Sequence, residues 1–237
     1  MKNKIIVIST ILGISLLIFI ILTIILANNS FDPTAFDISV RDFFYDIRGN
    51  KGNAIFWISR IITELGNVYV IIGILLLVLI YTKGDNRFIS FALGALLMIL
   101  SNLFLKDIFQ RLRPEEALRW VTENDLSYPS GHSTSTAFTY CFLAYLIHDS
   151  KFSKRNKIIG YILCATAIIF IPITRLIFGV HYITDIFGGL LCGIICASIT
   201  ILFYLFLKKY EIFKKPLFIS IYELFKEDKK IEDKEEK

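Results

Sequence analysis

The stretch "YPSGHSTSTAFTYCFLAYLI", residues 128–147, changes character partway along. It opens with Pro, Gly, His and hydroxyl residues and turns into an apolar run from 135 onward. The whole chain is 55% hydrophobic, with 21 Phe and 20% charged residues, at a mean hydropathy of +0.62. A soluble domain of this size does not have that composition. The stretch therefore reads as a membrane span with a polar entrance, and one of only three histidines stands in the entrance.

Working outward, five more apolar runs accompany it, giving spans at roughly 5–27, 68–81, 89–105, 135–147, 158–173 and 183–207. A crossing needs about 20 residues. The second and fourth runs are shorter, and are expected to extend through flanking Gly, Ser and Thr. The first run is too long for a signal peptide and lacks its small-residue cleavage site, so a retained helix is expected. The expected fold is all-α and integral to the membrane, with six transmembrane helices. Residues 1–208 form one membrane domain, and 209–237 form a cytoplasmic charged tail. Cys141, Cys164, Cys192 and Cys196 all fall within apolar runs, as buried thiols do, and indicate neither disulfides nor zinc. No nucleic-acid signature is present.

Basic residues concentrate on the cytoplasmic side of membrane helices. Lys2 and Lys4, then Lys83 and Arg87, then Lys151, Lys154, Arg155 and Lys157, and finally Lys208, Lys209, Lys214 and Lys215 fall on one side of the six-span threading. Segments 28–65 and 107–131 each hold five acidic residues, against four and three basic ones. Both termini are therefore expected in the cytoplasm. The first outer segment contains "TAFDISVRDFFYDI" and "NAIFWISRIITELG", whose helical spacing suggests amphipathic helices at the interface. In the tail, "LFISIYELF" suggests a further interfacial helix, and "KEDKKIEDKEEK" a solvated end.

The same threading collects polar residues at the outer ends of the spans. Lys106 closes the third, with Arg113 just beyond. Ser130, Gly131 and His132 open the fourth. Arg175 closes the fifth, and His181 and Asp185 open the sixth. Charge at that depth is costly and normally faces a polar cavity. Two guanidinium forks and an ammonium suit phosphate oxygens. A helix start at Ser130 and Gly131 offers free N–H groups to an anion, and glycine lets backbone approach it. His181 and Asp185, four apart, share a helix face. Asp185 can accept the Nδ1–H of His181 and leave Nε2 as nucleophile. His132 is a second imidazole, available as acid and then base. No carboxylate cluster has Mg²⁺ spacing, so no metal or cofactor is expected. Together these residues point to metal-independent phosphoryl transfer through a phosphohistidine. His148, at the cytoplasmic end of the fourth span, is expected to have no catalytic role.

"KDIFQRLRP" fits K-x6-R-P, "PSGH" is intact, and "RLIFGVHYITD" fits R-x5-H-x3-D. In this order they resemble the type-2 phosphatidic acid phosphatase superfamily of membrane lipid phosphatases. The third motif often begins Ser-Arg, whereas this chain has Thr174 before Arg175, which keeps a hydroxyl. The resemblance implies that His181 is the nucleophile oriented by Asp185, and that His132 protonates the leaving oxygen. It also implies that Lys106, Arg113, Ser130, Gly131 and Arg175 cradle the phosphate. The superfamily also contains soluble vanadium haloperoxidases, an activity that a six-span chain argues against. The implied substrate is a lipid phosphate or diphosphate in the outer leaflet of the plasma membrane, with undecaprenyl diphosphate or phosphatidylglycerophosphate favoured. Two other classes compete: a phosphotransferase using the same histidine, and a non-catalytic lipid-phosphate transporter. A transporter needs the cations but not the nucleophile.

Overall fold

The computed structural model describes residues 1–210 of the 237. The tail segments "LFISIYELF" and "KEDKKIEDKEEK" lie outside the described residues.

Polar residues placed between apolar runs start the helices. Thr34 and Asp37 form a capping box at α2 (Ala35–Arg48). Asn53, Asn67, Asp85, Ser130 and Ser153 each accept an amide hydrogen at the starts of α3 (Ala54–Glu64), α4 (Val68–Thr82), α5 (Asn86–Phe109), α6 (Gly131–Asp149) and α7 (Lys154–Ile177). Each such cap satisfies an amide that has no partner within its helix. Helix α1 (Lys2–Asn28) precedes them and α8 (Ile183–Lys209) follows. Helices α2 and α3 correspond to the two amphipathic segments expected from the sequence. The described residues contain no strand.

Among the described residues four helices, α1, α5, α7 and α8, are long and apolar enough to cross a membrane. The α3–α4 pair, bent by 43°, adds a fifth if it is one crossing. The expected count of six is higher because two runs fall short of that measure. Helix α4 has 15 residues, and at about 1.5 Å each it does not reach the roughly 30 Å of a hydrocarbon core. Helix α6 has 19 residues, but its first turns are Gly, His, Ser and Thr. Helix α1 is apolar on every side and exposes Ile6, Ile14, Leu17, Ile24 and Ile25. In water this surface would be a liability; in hydrocarbon it is the expected exterior.

Helix α8 is the hub, packing on α1, α5 and α6, while α6 also packs on α7. Phe91, Met98, Phe138, Phe142, Cys192, Cys196, Ile201 and Tyr204 fill the space between them. All four cysteines are free; Cys141 is half-buried and the other three are buried. A Cβ on Gly193 would stand 2.4 Å from the Thr134 carbonyl oxygen, and one on Gly189 2.5 Å from that of Ser130. Only glycine permits α6 and α8 to approach this closely, as small residues do between membrane helices. At the far end of the bundle, Asp149 accepts from Lys4 (3.0 Å), Tyr204 (2.9 Å) and Lys208 (2.6 Å). These bonds tie α1, α6 and α8 together.

Candidate active site

The other end of the bundle brings together residues from five parts of the chain. Lys106 comes from the last turn of α5 and Arg113 from the connection that follows. Ser130, Gly131 and His132 start α6. Arg175 ends α7, and His181 and Asp185 flank the start of α8. Local bonds fix these ends. Asn102 donates to the Pro129 carbonyl (3.3 Å) and to Thr134 Oγ1 (3.1 Å). The Ser130 amide donates to the Asp185 carbonyl (3.1 Å). Arg48 donates to the carbonyls of Ile177 (3.1 Å) and Leu118 (2.6 Å), which pins the turn carrying His181.

His181 is 3% exposed and lies between two unlike partners. Arg113 Nη1 donates to His181 Nε2 (3.0 Å). A guanidinium has no lone pair to offer, so Nε2 is the acceptor and the ring proton resides on Nδ1. Nδ1 lies 3.3 Å from Asp185 Oδ2 and 3.3 Å from Ser127 Oγ. Asp185 Oδ2 also accepts from Ser127 Oγ (2.5 Å) and the Tyr182 amide (2.8 Å). Burial, followed by the charges of Arg113, Arg175 and Lys106, holds the His181 imidazole well below its usual pKa. The ring is therefore neutral at pH 7, with its Nε2 lone pair directed among the cations.

The three cations are not bare. Lys106 and Arg113 both pair with Asp125, and Arg175 pairs with Glu123. Lys106 also donates to the Leu126 carbonyl (2.5 Å), and Arg113 to those of Asp125 (2.7 Å) and Val180 (2.8 Å). Arg175 Nη1 donates to Thr63 Oγ1 (3.2 Å), while its Nε is buried with no partner among the described residues. Burial alone would raise the Asp125 carboxyl, but Lys106 and Arg113 hold it at about 2, so it is ionised at neutral pH. The loop between α5 and α6 thus places carboxylates on each cation. An incoming phosphate would exchange one set of anionic oxygens for another.

His132 lies at the start of α6 and lines a cleft of about 400 Å³ with Asp125, Gly131, Asn102 and Gly66. The cleft continues past Val68, Ile71, Ile99 and Leu103 between α4 and α5. Leu103 is 60% exposed, so the polar pocket connects to the apolar exterior. The Ser130 hydroxyl is engaged as a cap, accepting from the Ser133 amide (3.4 Å) and the Ser133 hydroxyl (3.1 Å). Gly131 has an ordinary neighbour, since a Cβ there would lie 3.4 Å from Asn102 Oδ1. His148 is at the opposite end of α6, with Nδ1 3.3 Å from the Tyr161 hydroxyl.

Several participants are invisible to motif and period. Glu123 and Asp125 register in the sequence only as loop acidity. Ser127 stands just before the "YPSGH" stretch, and Arg111 lies inside the lysine–arginine motif without being a fixed position of it. Asp37 is legible as a capping partner of Thr34, but its buried ion pair with Arg111 is not.

A bundle of apolar helices that presents a buried His–Asp pair and three cations at one end is an integral-membrane protein. A family model for the PAP2 superfamily matches residues 87–209, and the chain belongs to that family. It is a phosphatase. It is 30% identical to phosphatidylglycerophosphatase B of Bacillus subtilis (strain 168) over 146 residues, 59% of this chain and 71% of that one. The crystal structure of a transmembrane PAP2-type phosphatidylglycerolphosphate phosphatase from Bacillus subtilis superposes with a TM-score of 0.63 at 25% identity. That match covers 81% of this chain and 94% of the other. Aquifex aeolicus LpxE shares the fold, with a TM-score of 0.50 at 23% identity over 68% of this chain and 93% of its own.

Proposed function

We propose that this membrane phosphatase hydrolyses a lipid phosphomonoester or diphosphate through a phosphohistidine on His181. The observation that carries the reading is the orientation of that ring, with Nδ1 toward Asp185 and Nε2 among the cations. Nε2 attacks phosphorus as the bond to the lipid oxygen breaks, and His132, which takes up a proton when the negative charge of the phosphate binds beside it, gives that oxygen its proton. His132 then takes a proton from water. The water oxygen attacks phosphorus, the P–N bond breaks, and orthophosphate leaves. Lys106, Arg113 and Arg175 bind the transferring oxygens in place of Asp125 and Glu123, supplying fixed positive charge where negative charge accumulates. The amides of Gly131 and His132, the first in α6, add donors without an intrahelical acceptor.

A lipid substrate is supported by the cleft between α4 and α5, which lets a chain remain in the bilayer while its phosphate reaches His132. Phosphatidylglycerophosphate and undecaprenyl diphosphate are the substrates to try first, given the named relatives and the sequence motifs. In the same reading the chain crosses the plasma membrane six times, with α6 and α4, the latter continued by α3 across their bend, completing the set. The site then faces outward and both termini face the cytoplasm, in keeping with the basic residues at the opposite helix ends.

Phosphate release from a panel of lipid phosphates in detergent, with EDTA present, tests the function. The wild-type chain should release phosphate from at least one of them, and His181→Ala from none. Full turnover by His181→Ala would refute the assignment.

A further inference from the structure

A second buried network lies behind the His–Asp pair and touches neither the cleft nor the cations. Asp185 divides its two oxygens between different tasks. Oδ2 accepts from Ser127, the Tyr182 amide and His181, whereas Oδ1 accepts from Arg111 Nη1 (2.5 Å). Arg111 is 1% exposed, and three more of its five donors are engaged. Nη1 also donates to Thr184 Oγ1 (2.7 Å), Nη2 to Asp37 Oδ2 (2.8 Å), and Nε to the Phe31 carbonyl (3.0 Å). Its guanidinium lies 4.8 Å from the centre of the Tyr182 ring. Asp37 closes the loop by accepting the Thr184 amide (3.0 Å) and hydroxyl (2.8 Å) through Oδ1. Thus the first turn of α2 and the first turn of α8 share one guanidinium.

Resting on the phosphohistidine reading, we infer that Arg111, held in place by Asp37, is the positioning residue of the nucleophile. It fixes the Asp185 carboxylate and thereby the aim and tautomer of His181. A carboxylate held only by Ser127, Tyr182 and His181 can rotate about its own Cβ–Cγ bond. Arg111 removes that freedom by gripping the other oxygen from a rigid fork. The fork is itself fixed at three further points, so a lysine, a single point charge, cannot replace it. Burial adds to the stringency, because no water is available to take the place of a lost bond. Two carboxylates surround one guanidinium here, so the network keeps net negative charge behind His181. That charge favours the ring when Nε2 carries a phosphoryl group and the imidazole turns cationic.

The role predicts a specific kinetic pattern on p-nitrophenyl phosphate. Arg111→Lys should lower kcat by about 10²-fold, the scale of a misplaced reacting group. KM should stay near wild type, because Arg111 does not meet the phosphate. In an Asp185→Asn background the same Arg111→Lys change should cost less than about threefold, since its route to His181 is already broken. A staple of the fold would instead cost the same factor in both backgrounds. Should Arg111→Lys fail to accumulate, Asp37→Asn keeps the guanidinium and carries the same comparison. Wild-type kcat in Arg111→Lys, or equal losses in the two backgrounds, would overturn the inference. His181→Ala separates this outcome from failure of the phosphohistidine reading. If that variant is inactive while Arg111→Lys is normal, only the role of Arg111 falls. If His181→Ala is active, the nucleophile itself is wrong.

Discussion

His181 and His132 are both imidazoles at one end of the bundle, but their surroundings differ. His181 is clamped at both nitrogens, by Arg113 on one side and by Asp185 and Ser127 on the other. Such a ring can act as a nucleophile without turning. His132 lines the open cleft, the place the proposed mechanism gives to the leaving oxygen. A general acid contributes about 10²- to 10⁴-fold, and mostly when the leaving group is poor. His132→Ala should therefore reduce turnover of a lipid phosphate far more than that of p-nitrophenyl phosphate, whose phenolate leaves without a proton. Parallel kinetics on the two substrates check this. Equal losses would remove His132 from the acid role.

Among the elements, the contact between α6 and α8 does most to assemble the site, because it sets His132 and the Ser130 turn against His181 and Asp185. Its closeness depends on glycine at 189 and 193. Gly193→Ala would press a methyl group against the Thr134 backbone, and a main-chain atom cannot swing aside. Overpacking of this kind costs about 1–3 kcal/mol, so the thermal midpoint in detergent should fall. Gly73→Ala in α4 is the control, because a Cβ there meets nothing within 4 Å. Equal midpoints for the two variants would mean that α6 and α8 can separate at no cost. The helices themselves are largely legible in the sequence, since the run at 89–105 falls inside α5 and that at 183–207 inside α8. The capping residues explain why the observed helices begin earlier or end later than their apolar runs. The bend at residues 65–67 is not legible, because Glu64 to Asn67 read as the polar margin of two separate elements.

For the molecule as a whole, the arrangement of charge follows from the position of the helix ends. Lys4 of α1 and Lys208 of α8 gather around Asp149 at the end of α6, and Lys106, Arg113 and Arg175 gather at the other end of the bundle. The motif residues of the site were legible because each sits at the end of an apolar run. The network behind them was not. Arg111 and Ser127, like Glu123 and Asp125 beside the cations, lie in loops, whose contacts follow no sequence period, and Asp37 meets Arg111 from the first turn of α2. If the site faces outward, a cysteine at Thr122 in a cysteine-free background should react with an impermeant maleimide in intact spheroplasts. One at Ser153 should react only after lysis, and the opposite pattern would place the chemistry in the inner leaflet. The phosphohistidine mechanism requires that phosphate pass through His181. The direct measurement is mass spectrometry of the wild-type protein quenched in base during turnover of a lipid phosphate, and of His132→Ala with p-nitrophenyl phosphate, whose phenolate still leaves while release from the histidine is slowed. A phosphoryl group on the peptide bearing His181, absent from His181→Ala, is the expected result. A phosphoryl group on His132, or turnover that survives in His181→Ala, would contradict the claim.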